Sequence, residues 1–435
     1  MRILSHMPPV LSILILAAHF LRIGNWGATV AVLFFLSLFF WRHRWMLGVL
    51  RTGFALGTLF WLKITLDMIL VRMALGEPWI RLSIIMGAVA LLSATASVQL
   101  YSGSWTARFY KHQKTARWSA AAFFLTCGLL AIVQLKVARP MLLPERFIPG
   151  GGWMAVVGLS VYAAILVQKM SSPQKAHIWR KRIWVLFSAT FFFQFIIGVL
   201  GVESFLMSGK LHVPVPAVIL AGPIYRGEGF FMPILFGITL LLVGPAWCSH
   251  LCYFGGLDLL AATRQKRPGM VPQKYSILRI GLLVGVIGIA LLMRLWGISG
   301  FSASVVAVVF GAAGMIAMAT VSRQRGVMFH CVSVCPIGLI AVIMGKISPF
   351  RMRFTASCNA CGACSHRCRY GALERTHIDG RAVGMNCTLC GDCMSRCKEN
   401  GLTYTFGRWT GPSVRMTFIV CVVVLHGVFL GVARL

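Results

Sequence analysis

Apolar runs near or above the ~20 residues that cross a bilayer recur along this chain from its N-terminus to about residue 345, and one more closes it. Mean hydropathy is +0.80, and 58% of the 435 residues are hydrophobic against 12% charged, which excludes a soluble domain of ordinary composition. The reading is an all-α polytopic membrane protein with eleven spans, at 8–22, 28–41, 46–73, 80–101, 118–137, 152–168, 183–201, 229–247, 276–296, 301–321 and 413–433. The first run is short enough to resemble a secretory signal. No A-x-A-like cleavage site follows it and a second run begins at once, so it reads as a retained helix.

A net charge of +32 would suggest nucleic acid in a soluble protein. Here its placement along the loops carries the information. Basic residues crowd alternate connections: Arg42 and Arg44; Arg108, Lys111, Lys114 and Arg117; Lys169, Lys175 and Arg180 to Arg182; Arg264, Lys266, Arg267 and Lys274; Arg323 and Arg325. The intervening loops are sparse, holding Arg81, Arg139, Arg146, Lys210 and Arg226. By the positive-inside rule the N-terminus is cytoplasmic and the C-terminus lies outside. The expected location is the cytoplasmic (inner) membrane. Membrane lipid is then a partner and nucleic acid is not.

The longest polar stretch, 346–412, therefore falls on the cytoplasmic side, and it holds eight cysteines. "CNACGACSHRC" places Cys358, Cys361, Cys364 and Cys368; "CTLCGDCMSRC" places Cys387, Cys390, Cys393 and Cys397. Each run is C-x2-C-x2-C-x3-C, a spacing that wraps three corners of a [4Fe–4S] cubane while the fourth cysteine of each run crosses to the other cluster. The expected ligand sets are Cys358, Cys361, Cys364 and Cys397 for one cluster, and Cys387, Cys390, Cys393 and Cys368 for the second. Zinc also uses paired C-x2-C motifs, but common zinc spacings match two such runs poorly. Disulfides are disfavoured in the cytoplasm. The fold expected here is a small α+β ferredoxin-like two-cluster domain. Arg369 and Lys398 stand where proline usually follows the fourth cysteine. With Arg367 and Arg396 they should favour the reduced state.

Two further pairs lie at helix ends. Cys248 and Cys252 in "AWCSHLCYFGG" close the eighth span, and Cys331 and Cys335 in "HCVSVCPIGLI" follow the tenth. Residues i and i+4 share a helix face, and both pairs fall on the cytoplasmic side. One functional reading is a third iron–sulfur or iron centre; another is a dithiol site that binds or hands on a soft metal. The bland alternative is buried apolar cysteine, the reading adopted for the isolated Cys127 and Cys421. His250 and His330 abut the pairs and are expected to hydrogen-bond rather than ligate.

The order of membrane spans, C-x3-C, two spans, C-x3-C-P and two ferredoxin-type runs resembles the membrane-bound polyferredoxins of the NapH/NosR type. The resemblance covers roughly residues 229–400. It implies an inner-membrane protein that passes electrons between quinol or cytoplasmic donors and partners across the membrane, and some such proteins support maturation or activation of metalloenzymes. The motif cysteines carry over to Cys248, Cys252, Cys331 and Cys335, with Tyr253 in place of the first motif's proline. A NosR-type flavin domain has no counterpart, because 1–228 reads as spans throughout.

The expected organisation is thus an N-terminal bundle of seven spans (1–228), a transmembrane core with both C-x3-C motifs (229–345), the two-cluster domain (346–412) and a C-terminal transmembrane helix (413–435). Lys63 and Asp67, one turn apart in the third span, are expected to neutralise each other, with quinone binding or proton movement as a functional alternative. Arg226 and Glu228 in "YRGEGFF" suit either a quinone head group or an interfacial anchor. His19 and His426 lie inside spans without partners at useful spacing, and no haem is assigned. No phosphate loop, Rossmann fingerprint or nucleophile triad appears. Lys346, Arg351, Arg353, Arg375 and Arg381 suit an acidic redox partner such as a ferredoxin or flavoprotein. The expected function is electron relay between the quinone pool or a cytoplasmic donor and a membrane or periplasmic redox protein. The alternative is an accessory role in metalloenzyme maturation, with the C-x3-C pairs handling metal.

Overall fold

The computed structural model describes residues 7–40, 44–103, 105–106, 113–137, 140–205, 213–270 and 274–432. Arg42, Arg108, Lys111, Arg139 and Lys210 of the charge-bias argument lie outside the described residues. Among the described residues nine helices are long and apolar enough to cross a membrane: Trp45–Ala74, Ile80–Gln99, Thr115–Lys136, Gly152–Met170, Pro173–Val199, Phe231–His250, Ile277–Leu295, Gly300–Arg325 and Pro412–Gly431. They coincide with the third to eleventh spans read from sequence. The first two correspond to the shorter helices Met7–Arg22 and Trp26–Ser37, of 16 and 12 residues.

The chain divides into two compact units, 1–119 and 120–435. In the first, Ile13, Leu47, Leu50, Phe54, Ala96 and Trp105 form a buried cluster. Ser12 and Ser93 share a hydrogen bond of 2.6 Å inside it. Lys63 and Asp67 are both exposed on the helix surface. The ion pairs among the described residues are Arg72–Glu77, Arg180–Asp392 and Arg375–Asp379. The expected Lys63–Asp67 pair is therefore not formed: the two side chains lie one turn apart and point outward without meeting.

In the second unit the helix Pro412–Gly431 is the most enclosed of the nine, with 61% of its apolar window buried. Proline at its start fixes the first φ without losing a needed N–H. Cys127 packs into an apolar cluster with Leu130, Leu142 and Val156, as a small hydrophobe does.

The polar stretch is folded against this helix. Strands β1 (Phe350–Phe354) and β2 (Leu402–Phe406) pair antiparallel, Phe350 opposite Phe406 and Phe354 opposite Leu402, and β3 (Trp409–Thr410) extends the sheet. Alternation puts Phe350, Met352, Leu402 and Tyr404 on the buried face. Tyr404 stacks on Phe418 at 4.6 Å and Phe350 meets the same ring at 5.3 Å. One aromatic on the membrane helix thereby anchors the sheet, which frames both cysteine runs: β1 leads into the first and β2 leaves the second.

Candidate functional site

The helix-end cysteines sit in two copies of one turn. Cys252 (φ −83°, ψ 115°) and Cys335 (φ −73°, ψ 115°) are extended residues at the starts of the helices Tyr253–Ala262 and Pro336–Met344. Each donates its N–H five residues back, Cys252 to Trp247 O at 3.0 Å and Cys335 to His330 O at 2.8 Å. The wide turn keeps the two thiols of each motif on one side. Each following helix aims its N-terminal amides at the site, which favours negative charge there; Gly338 N–H donates to Cys335 Sγ at 3.4 Å. Tyr253 in place of proline leaves this backbone unchanged and stacks its ring on Phe191 at 3.7 Å.

Glycine is required three residues after the second cysteine in both copies. A Cβ on Gly255 would lie 2.9 Å from Cys248 O and 2.5 Å from Trp184; one on Gly338 would lie 2.8 Å from Cys331 O and 2.5 Å from the Arg279 guanidinium. The same two side chains hold the cysteine carbonyls: Trp184 Nε1 donates to Cys252 O at 2.7 Å and Arg279 Nε to Cys335 O at 3.1 Å. Asp258, fully buried, accepts the Cys331 N–H at 3.0 Å.

The four thiols are near enough to influence one another's charge. Burial pushes Cys331 well above the ordinary thiol range, and the charges of Asp258, Cys252, Cys335 and Cys248 push it further. Four thiols that repel one another's ionised forms, three of them buried and Cys331 half-buried, suit a positively charged metal centre that would ionise them. Beside Cys331, His330 Nδ1 and Ser333 Oγ are buried without a hydrogen-bond partner, and the His330 ring packs against Gly314 and Phe254. The donor set thus fits an iron–sulfur group.

The two long runs also repeat one backbone, offset by 29 residues. Left-handed φ recurs at Ala360 and Leu389 (54° and 55°), at Gly362 and Gly391 (78° and 74°), and at Gly371 and Asn400 (66° and 51°). Non-glycine residues at such φ are uncommon and mark a conformation imposed by function. The alternation turns successive amides inward around each set of thiols.

The thiols group in the crossed manner. Cys364 feels the charges of Cys397, Cys358 and Cys361, while Cys393 feels those of Cys390, Cys368 and Cys387. Gly401 donates its N–H to Cys397 Sγ at 3.0 Å, and a Cβ there would lie 3.1 Å from Cys358. Burial pushes Cys368, Cys387 and Cys390 up to about 12, whereas Cys361 is exposed. Among the described residues no three His, Cys, Asp or Glu side chains close on a single metal ion.

Arg369, which stands where proline usually follows the first run, has structural work. Arg369 donates to the carbonyls of Ala262, Gly326 and Gln265 at 2.7, 2.6 and 2.9 Å, tying the end of the first run to the helix ends. Arg375 and Arg381 brace that run through the carbonyls of Ala360 and Cys358. Arg351 is turned inward onto the carbonyls of Gly345, Ser348 and Phe350.

The helix-end group and the second run adjoin. Cys331, Cys368 and Cys390 pack on one cluster containing Trp184, Leu259, Met328, Val332 and Tyr370. Tyr370, 3% exposed, feels the charges of both Cys331 and Cys390. Ser249 Oγ donates to Thr388 O at 2.9 Å. Arg180 reaches from the helix Pro173–Val199 to Asp392 and to Ser249 O.

The remaining candidates lie elsewhere. His426 Nε2 pairs with Tyr162 OH at 3.1 Å, and His250 Nδ1 with Ser249 Oγ at 2.9 Å. His19 makes edge contacts with Phe60 and Trp61. Arg226 and Glu228 are exposed.

Sequence reading missed Asp258, Arg279 and Arg180. The signal for Asp258 is an acid in the apolar "YFGGLDLLAA", in a chain with only 10 acidic residues; Arg279 is a cation inside a span, one turn or so from its start. Arg180 is disguised by Lys181 and Arg182, and its position inside the fold corrects the reading of all three as loop charges.

A family model described as a 4Fe-4S binding domain matches residues 228–270 and 304–355. Those stretches carry Cys248 and Cys252, and Cys331 and Cys335. The match supports an iron–sulfur cofactor. The chain is also 28% identical over 191 residues to "Putative electron transport protein YccM" of Escherichia coli (strain K12), an overlap of 39% of this chain and 54% of that protein. It therefore spans about half the length of that relative. No solved structure matches it. The matches and the helices together support an iron–sulfur electron-transfer protein with membrane-spanning segments.

Proposed function

We propose that this chain is a NapH/NosR-type electron carrier of the cytoplasmic membrane, with eleven spans and the cysteine runs on the cytoplasmic side. One [4Fe–4S] cluster is assigned to Cys358, Cys361, Cys364 and Cys397 and a second to Cys387, Cys390, Cys393 and Cys368. A third iron–sulfur centre is assigned to Cys248, Cys252, Cys331 and Cys335. The route joins the quinone pool or a cytoplasmic donor to a membrane or periplasmic redox protein. An acidic partner docks on the basic face formed with Lys346, Arg353, Arg375 and Arg381.

The observation that carries this reading is that Cys331, Cys368 and Cys390 all pack against one buried cluster that contains Tyr370. Bound clusters would supply one-electron chemistry. The residues of the chain supply the rest. Trp184, Leu259, Met328 and Val332 exclude water between the second run and the membrane end. The helix starts at Tyr253 and Pro336 favour negative charge there. The exposed Cys361 edge of the first set is the face a soluble partner can approach.

The test is iron and acid-labile sulfide per purified chain, with low-temperature EPR on reduction, for the wild type and Cys248→Ser/Cys331→Ser. The expected result is about twelve iron in the wild type and about eight in the variant, with one EPR signal lost. About eight in both would confine the clusters to the two runs and favour the metal-handling role. Zinc in place of iron would overturn the reading.

A further inference from the structure

Arg180 is the charge that the site has not yet explained. Lys181 bonds to Thr263 Oγ1 at 3.2 Å and Arg182 stacks on Trp179 at 4.8 Å, but Arg180 turns inward. Its side chain is 2% exposed and that of Asp392 16%. The guanidinium meets the carboxylate with two hydrogen bonds, Nε to Oδ1 at 2.9 Å and Nη2 to Oδ2 at 2.5 Å. Its third arm, Nη1, donates to Ser249 O at 2.9 Å, next to Cys248. Its flat face lies 5.1 Å from the Trp184 ring. Each of the three nitrogens of the cation thus donates a hydrogen bond, in surroundings where a charge is poorly screened.

Asp392 lies between Cys390 and Cys393. The 29-residue repeat puts Ala363 at the equivalent place in the first run. The ion pair is therefore a property of the second thiol set alone. As a pair it adds little net charge beside those thiols; either member alone would add a full one. A cation stabilises the more negative, reduced state of a nearby redox group, and an anion destabilises it.

We propose that Arg180 is a positioning residue that fixes the second thiol set against the helix-end cysteines and, by balancing Asp392, keeps that carboxylate from lowering the set's redox potential. The inference rests on the cluster assignment above.

The experiment is an EPR-monitored redox titration of the full-length protein, comparing wild type with Arg180→Lys, Arg180→Gln, Asp392→Asn and the Arg180→Gln/Asp392→Asn double variant. In Arg180→Gln the uncompensated carboxylate should lower the reduced-to-oxidised ratio of the second set at fixed potential at least tenfold, about 59 mV for one electron. Asp392→Asn should raise the ratio by a similar factor. The double variant should return towards wild type, Arg180→Lys should move least, and the first set should stay in place throughout. A purely structural pair would not give opposed signs. Shifts of the same sign, shifts shared by both sets, or no shift with clusters retained would overturn the inference alone. Should Arg180→Gln fail to fold, the sign in Asp392→Asn and the small effect of Arg180→Lys decide it. A wild type without cluster signals would overturn the assignment and this inference together.

Discussion

Cys252 and Cys335 hold the same position in two copies of one turn. Each donates its N–H to a carbonyl five residues back and offers its own carbonyl to a buried side chain, Trp184 for one and Arg279 for the other. The duplication starts a helix directly after the second thiol of each pair. The helices that carry the motifs meet the second cysteine run through Ser249, so the site is built jointly by membrane segments and the polar domain.

The duplicated glycines give the first prediction. Gly255→Ala and Gly338→Ala should each lower iron bound at the helix-end cysteines, leaving the iron of the two long runs in place. Gly255→Ala should be the more damaging. Its Cβ would press on the packed Trp184 ring, whereas Gly338's would meet a longer, more adaptable arginine. Overpacking of this kind costs about 1–3 kcal/mol. Iron analysis and EPR of both variants check it; equal, negligible losses would deny the close approach.

The crossed grouping gives the second. Cys397→Ser should perturb the signal of the set containing Cys358, Cys361 and Cys364, although Cys397 belongs to the other run in sequence. Cys368→Ser should perturb the set containing Cys387, Cys390 and Cys393. Assigning each variant's altered EPR signal against Cys361→Ser and Cys390→Ser references decides the matter, and in-run pairing would refute the crossed sets.

The thiol positions were legible because spacing is local chemistry: two identical four-cysteine runs and two C-x3-C pairs announce themselves without a fold. The nine long helices were legible because bilayer thickness sets their length. The side chains that position the thiols were not. Arg180 reaches Asp392 across 212 residues of chain and Asp258 reaches Cys331 across 73, distances that no periodicity encodes. Charge bias misplaced Arg180 because it counts cations near span ends and is blind to which one turns inward. Lys63 and Asp67 failed the other way: spacing of one turn permits an ion pair without requiring it.

The loop before Gly152–Met170 gives a pH dependence. Glu145 accepts the N–H groups of Gly150 at 3.0 Å and Gly152 at 2.8 Å, and these bonds hold its carboxyl below its ordinary value of 4.5. A lowered folded value means stability that is present above the unfolded pKa and lost as pH falls through the folded one. Amide protection of Gly150 and Gly152, corrected for intrinsic exchange, should therefore be flat near neutrality and fall at pH below 4.5. In Glu145→Gln the fall should disappear, and a persistent one would assign it to another group.

Asp258 separates a hydrogen-bond role from a charge role at the membrane end. Its Oδ2 accepts the Cys331 N–H, so alanine would strand that donor in a partly buried site, at a cost of about 1–3 kcal/mol. Asparagine keeps an oxygen of the same reach and loses the negative charge. If the acceptor is what orients Cys331, Asp258→Ala should lower helix-end iron and thermal stability, while Asp258→Asn keeps most of both. Removing the charge should also ease the ionisation of Cys331, because Asp258 is the largest electrostatic influence raising it. Asp258→Asn should then load iron at least as readily as wild type at low added iron. Equal losses in the two variants would show that the carboxylate's charge, not its hydrogen bond, holds the turn.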